Sequence, residues 1–380
     1  MRSGMKKNEI RELQVLTHLV EEYIQTNEPV SSRLLCDKYL SEVSPATIRI
    51  DLHKLEQRRY IFQPHTSAGR IPTLAGYRYY INTLDREMEQ IPYHKEDLLR
   101  KVLISNYRDT VSALHYIMQI LAKETDQLSF IAEPEIAFGI LENLEVFKIG
   151  SNKLLFLVSL DTGIDKTVII NCDYEITEQQ LKALVRYVNE SLSGLRIHDI
   201  QHKYIEEMAD KMGEVNYIFS RFLQEFQRAL TEMSSYYIHF EASVSFLNQP
   251  EFDSKEEILG FLGLTQRQDL LVNMMHRKIG DGQIQVLLGE DLGRKEWFNY
   301  VIVFSRYELF GIPGYLGVLA PVRMNYLKNM PIIRDMARII TEVTRKGMIV
   351  PTYNEQGKEK INEKEEKGST RKSRGSKGKC

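Results

Sequence analysis

The chain has little cysteine, a single tryptophan, no long apolar run and almost no net charge, and each shortage removes a class of protein. Cys36, Cys172 and Cys380 lie far apart and are odd in number, which argues against a disulfide framework and against clustered metal ligands, and fits a reducing cytoplasm. Residues 1–14 lack the apolar core of a signal peptide, and runs such as LLFLV at 154–158 are far too short to span a bilayer, so a cytoplasmic protein without a membrane partner is expected. A net charge of −2 excludes a chain that is basic throughout, but leaves room for a local basic face.

Catalytic signatures are also missing. There is no GxSxG, Walker A or Cys/His nucleophile pattern, and the carboxylates scatter without a paired motif, so neither enzyme activity nor a cofactor is expected. His198 and His202 have a helical metal-ligand spacing, yet no Glu follows His198 and no third ligand accompanies them. Gly311, Gly314 and Gly317 lie in a strand pair without the helix a phosphate loop needs, and read as turns and close packing.

What is present begins with three short helices. Leu13, Leu16, Val20, Tyr23 and Ile24 share one face of a helix over 8–28, with Asn8 as its cap. Ser31 or Ser32 caps a second helix of about two turns. A third starts at SPATIRIDLHKLEQ, where Ser44 can cap the free amides and Pro45 occupies the first helical position, whose missing N–H costs nothing. On it Ile48, Leu52 and Leu55 form an inward stripe. Ala46, Thr47, Arg49, Ile50, His53, Lys54 and Gln57 remain for the other side. Small, basic and amide groups around one isoleucine suit a DNA major groove, where Arg and Gln read base edges and an aliphatic group meets a thymine methyl. Alone, such a face is more often solvent decoration.

The next segment shifts that balance. YIFQPHTSAGRIPT at 60–73 reads as a β-hairpin wing following a recognition helix. His65, Thr66 and Ser67 can donate to phosphate oxygens, Gly69 permits close backbone approach, and Arg70 supplies charge. Between Ser44 and Arg78 six Lys/Arg face two acids, a local +4 that coincides with the motif.

The blocks EPVSSRLL, VSPATIRIDLHKLE and QPHTSAGRIPTLAGYRYYI, in this order, closely resemble the heat-inducible transcription repressor family called HrcA, in which PHTSAGRIPT is a near-signature. GYLGVLAPVRMNY at 314–326 is similar to the family's closing strand and the start of its last helix, so the resemblance runs from residue 8 to residue 347. It implies a repressor of chaperone operons that binds an inverted-repeat operator in double-stranded DNA as a homodimer, loses activity on heat shock, and is assisted by the chaperonin. The family commonly carries Asn where this chain has Ile50.

Further along, Val111, Leu114, Met118 and Leu121 are spaced as one seam, of the kind ordinary core makes. Strand patterns at 143–171 and a helix near 177–193 are followed, after a helix-rich stretch, by strand patterns at 284–320 and a helix from 328 to 346. Strands and helix, an interruption, then strands and helix imply one divided α+β domain. The expected organisation is therefore an α+β multidomain chain: a winged helix-turn-helix at 1–87, a linker and long helix at 88–124, a domain in two parts at 125–196 and 281–350 that the resemblance describes as GAF-like, a mainly helical insert at 197–280 that the resemblance assigns to dimerisation, and a disordered basic tail at 351–380. A ligand-sensing regulator that uses the divided domain is the alternative; nothing in the sequence singles out its ligand.

Overall fold

The computed structural model describes residues 7–66, 68–84, 93–106, 110–134, 136–212, 217–233, 237–277 and 284–345, together with the backbone of 351–353 and 359–361. It is a mixed α+β fold. Three helices come first: α1 (Lys7–Thr26), α2 (Ser32–Lys38) and α3 (Pro45–Gln57). Strands β1 (Ile61–Phe62) and β2 (Ile71–Pro72) pair antiparallel, and α4 (Leu74–Thr83) follows. Ser31, Ser44 and Thr73 each accept a backbone N–H of the first turn they precede, which satisfies amides that a helix leaves open. Asn8 lies inside α1 instead of capping it, since the helix already runs at Lys7.

The inward side of α1 centres on Val15, Leu16, Leu19 and Val20, all out of solvent, while Leu13 and Tyr23 sit at its edge. They meet Ile48, Leu52 and Leu55 of α3 and Tyr77, Tyr80 and Ile81 of α4 in a common core. Full burial contributes about 1.5–3 kcal/mol for each large aliphatic side chain before entropy is subtracted.

Behind this head lies a five-stranded antiparallel sheet. Its strands are β3 (Leu128–Ala132), β7 (Ile238–Ala242), β8 (Gln285–Leu288), β9 (Tyr300–Leu309) and β10 (Ile312–Pro321), in the spatial order β7-β3-β10-β9-β8. A second sheet is a meander of β4 (Leu141–Gly150), β5 (Lys153–Leu160) and β6 (Asp165–Asn171).

Helices α5 (Glu96–Ser105), α6 (Thr110–Thr125) and the last helix, Tyr326–Thr344, pack together, the latter two against one face of the larger sheet. Leu114, Met118 and Leu121 of the expected seam are buried there; the side chain of Val111 lies outside the described residues. The opposite face carries a second core in which Phe246, Phe252, Phe261, Leu264, Leu271 and Met275 meet Trp297, Tyr300 and Tyr315. Gly314 and Gly317 are close-packing residues: a Cβ on Gly317 would stand 2.3 Å from the Val303 carbonyl oxygen, and one on Gly314 2.5 Å from the Tyr307 ring.

This topology moves the interruption. The chain leaves the large sheet after Ala132 and rejoins it at Ile238, hydrogen-bonded to the strand it left. Residues 141–171, expected to share a divided domain with the later strands, instead form the meander, which packs with helices Glu178–Leu192 and Tyr217–Met233. Of the stretch 197–280, expected as one mainly helical insert, the part from 238 onward contributes a strand and two helices to the large sheet and its second core. The physical reason is that alternating apolar patterns show a strand without showing its partner, and Ile238–Ala242 was hidden in an aromatic run. Within the expected tail only Pro351–Tyr353 and Glu359–Ile361 are described, paired antiparallel; the remainder lies outside the described residues.

Candidate nucleic-acid interface

Helix α3 is fixed from below by charge as well as by apolar packing. Asp51, wholly buried, accepts from Arg11 of α1 through Nε at 2.6 Å and Nη2 at 3.1 Å. One turn on, Lys54 donates to buried Glu12 at 2.7 Å, and Arg58 lies 3.3 Å from the same carboxylate. Glu22 is held the same way by Lys38 and the Tyr39 hydroxyl, both at 2.6 Å, and these hydrogen bonds hold its carboxyl below the usual carboxylate range. Two-pronged charged hydrogen bonds restrict rotation about the helix axis as well as separation, so they set which side of α3 faces outward.

That outward side carries Ala46, Arg49, Ile50, His53 and Gln57, all exposed, Ile50 by 60%. His53 and Gln57 are linked at 3.2 Å one turn apart. Ser44 caps the helix and also hydrogen-bonds the Thr47 hydroxyl at 2.9 Å, which keeps Thr47 half-buried at the first turn. Lys54 differs from the expectation: its stem reaches the outer surface, but its ammonium is committed to Glu12.

The hairpin is anchored to the head along its second strand. Val30 and Arg70 exchange two backbone hydrogen bonds of 2.9 and 2.8 Å, an isolated antiparallel bridge just ahead of β2. In the loop, the Gln63 amide donates to the carbonyls of Thr66 and Ala68, both at 2.9 Å, and His65 and Thr66 are left exposed; Ser67 lies outside the described residues.

Gly69 and Arg70 also make contacts within the protein that the sequence did not suggest. A Cβ at Gly69 would sit 2.5 Å from the Val30 carbonyl, so the close approach this glycine permits is to the protein's own backbone. The Arg70 guanidinium lies 3.1 Å from Glu56 of α3, mostly buried, and ties the hairpin to the helix. The local excess of positive charge shrinks accordingly. Of the six cations, Lys54 and Arg58 meet Glu12, Arg70 meets Glu56 and Arg78 meets Asp291; Arg49 and Arg59 have no ion-pair partner among the described residues.

Sequence reasoning missed the ion pairs of Arg11, Glu12 and Asp51 and the tight seat of Gly76, whose Cβ would fall 2.2 Å from the Tyr60 carbonyl oxygen. One signal was available: Asp51 sits between Ile48 and Leu55 on the inward stripe, where a carboxylate needs a cation from a neighbouring helix. His198 and His202 do lie together, their rings tilted by 52° with centroids 4.5 Å apart, but among the described residues no group of three or more His, Cys, Asp or Glu could hold a metal ion. No described helix is long and apolar enough to cross a membrane.

A small helical head that offers a polar, partly cationic helix face in front of a larger α+β body suits a transcription regulator. Comparison with known proteins narrows it. Residues 112–330 match the family described as HrcA protein C terminal domain. Over 347 residues the chain is 30% identical to the heat-inducible transcription repressor HrcA of Natranaerobius thermophilus, covering 89% of this chain and 98% of that protein. The HrcA of Desulforamulus reducens is 30% identical over 335 residues, with 88% and 96% covered. A crystal structure of a hypothetical protein aligns over 87% of this chain and 98% of its own, at 25% identity and a TM-score of 0.56. The chain belongs to the HrcA family of heat-inducible transcription repressors.

Proposed function

We propose that the head is a winged helix-turn-helix in which α3 enters the major groove and the β1–β2 hairpin lies along the backbone, and that the chain represses heat-shock genes from an inverted-repeat operator as a homodimer. The observation that carries this reading is the set of exposed side chains on the outer face of α3. Arg49 is the exposed cation there, with no ion-pair partner among the described residues; beside it stand Ile50, His53 and Gln57. Arg49 reads a guanine, Gln57 and His53 offer further hydrogen bonds to base edges, and Ile50 contacts a thymine methyl. Ser44, Ala46 and Thr47 bring the first turn of α3 close to the duplex, with His65, Thr66 and Ser67 donating to phosphates. Lys54, Gly69 and Arg70 support these groups: Lys54 through Glu12, Gly69 by admitting the Val30 backbone, and Arg70 by holding the hairpin against Glu56.

The body supplies two-fold symmetry, because a palindromic site read by one head per half needs a paired second copy. Heat acts on this pairing: when the dimer loosens, two weakly bound heads lose the advantage of binding together, and the chaperonin restores the active state. The GAF-like description belongs to the large sheet with its flanking helices, and the inserted unit is the meander with its helices, bounded by Ala132 and Ile238.

A gel shift against an inverted-repeat duplex, with a scrambled competitor, tests the reading. Arg49→Ala is expected to reduce discrimination between operator and scrambled DNA by about 1–3 kcal/mol. Arg70→Ala is expected to weaken binding to all duplexes by loosening the hairpin. Parent-like operator binding by both variants refutes the groove assignment.

A further inference from the structure

The segment APVRMNY, which ends the last strand of the large sheet, has no role in the site described above, yet it is where the head meets the body. Three observations converge on it. Arg323, with only 18% of its side chain exposed, donates Nε to Glu251 at 2.6 Å and Nη2 to the other oxygen at 3.3 Å, while Nη1 donates to the Ile24 carbonyl at 2.6 Å. Ile24 lies in the last turn of α1, where carbonyls run out of intrahelical donors. The amide that would reach it, of Glu28, is instead bonded to the Thr26 hydroxyl, because the chain turns away at Asn27 with a positive φ of 56°. A guanidinium is therefore the partner of a helix C-terminus, the end that favours a cation.

Beside it, the fully buried Tyr326 ring packs against Tyr77 and Tyr80 of α4, with centroids 6.2 and 6.5 Å away. A second ion pair, Arg78 to Asp291 at 2.9 Å, closes the joint from another side.

We propose that Arg323 is a positioning residue for DNA binding: by capping α1 from the body while gripping Glu251, it fixes the angle at which each head leaves the body, and so the half-site spacing a dimer accepts. The inference rests on the reading of the head as the DNA-binding part. A lone ion pair allows rotation about its axis. Three donors directed at acceptors of two residues on different elements do not, and the tyrosine contacts give the joint a fixed apolar pivot.

The test uses the full chain with Cys36, Cys172 and Cys380 replaced by serine and spin labels at Glu42→Cys in the head and Lys295→Cys in the body, both exposed. Labelled chain is diluted into unlabelled chain so that pulsed dipolar spectroscopy reads one protomer. The parent is expected to give one narrow distance distribution, Arg323→Ala a broad one, and Arg323→Lys, which keeps the charge but loses the fork, an intermediate one. A distribution for Arg323→Ala as narrow as the parent's, at the same mean, overturns the proposal. If circular dichroism shows that Arg323→Ala does not fold, Arg323→Gln and Glu251→Gln carry the same expectation and the same refutation.

A second arm compares inverted-repeat duplexes that differ in spacer length. The parent is expected to prefer one spacing; in Arg323→Ala the gain of paired over single half-sites, of order 10²–10⁴-fold for linked binding, falls by about tenfold or more and the preference flattens, while binding to a single half-site is retained. Equal losses on single and paired half-sites mean a damaged head, and count against the proposal. A parent that binds no duplex refutes the DNA reading, whereas the label distances still decide whether Arg323 sets the head.

Discussion

Replacing Arg11 by alanine strips the buried Asp51 carboxylate of both its close donors. Asp51 has no solvent exposure, and the nearest remaining cation is Lys54, whose Nζ is 3.9 Å away and already bonded to Glu12. Removing one partner of a buried pair costs about 3–5 kcal/mol, because the other charge stays behind without compensation. The reverse substitution is milder. In Asp51→Ala the stranded group is Arg11, whose side chain is one quarter exposed and retains Asn8 Oδ1 at 3.3 Å, so about 2–3 kcal/mol is expected. Arg11→Ala should therefore exceed Asp51→Ala, and Asp51→Asn, which keeps one acceptor, should cost about 1–2 kcal/mol.

The sole tryptophan, Trp297, is buried in the core behind the large sheet, so its fluorescence follows the body and not the head. Hydrogen exchange of the α3 amides reads local opening of the head directly. Equal protection of α3 in parent and Arg11→Ala, or a larger loss in Asp51→Ala than in Arg11→Ala, refutes the view that a buried carboxylate sets the orientation of this helix.

Two further outcomes follow from the same geometry. Gly69→Ala places a methyl against the Val30 backbone and should cost about 1–3 kcal/mol, with protection lost at the Val30 and Arg70 amides; unchanged exchange there contradicts the anchoring described for the hairpin. Glu133 is largely buried, which raises its carboxyl, but hydrogen bonds from Lys166 and His239 outweigh burial and leave it below its ordinary value of 4.5. A depressed folded value stabilises the fold above the ordinary range and is lost as pH falls through the folded value, so Glu133→Gln should show a shallower loss of stability below about pH 4.5 than the parent. Identical acid-unfolding profiles for the two contradict this.

The parts of the fold legible in the sequence are those written in local chemistry. Ser44 before Pro45 marks the start of α3, and the apolar triad Ile48, Leu52 and Leu55 fixes its inward side, because both depend only on neighbours within a few turns. The pairing of strands was not legible: Ile238–Ala242 joins Leu128–Ala132 across more than a hundred residues, and no turn residue announces such a contact. Charge was misleading for a related reason. Lys54, Arg58 and Arg70 contribute to a basic tally along the chain, yet each is met by a carboxylate that only tertiary packing brings within reach: Glu12 for the first two, where α1 packs on α3, and Glu56 for Arg70, where the hairpin folds back on α3. Gly69 shows the same limit, since its small size could serve a ligand or a neighbouring strand, and Val30 decides between them.

The central claim is that the exposed face of α3 reads DNA. Base-resolved footprinting of the parent on an inverted-repeat duplex tests it most directly. Two protected patches in the major groove, about one helical turn or a whole number of turns apart, with the patch contacts at single bases lost in Arg49→Ala, are predicted. A duplex left without protected bases, or a pattern unchanged by Arg49→Ala and Ile50→Ala, contradicts the account.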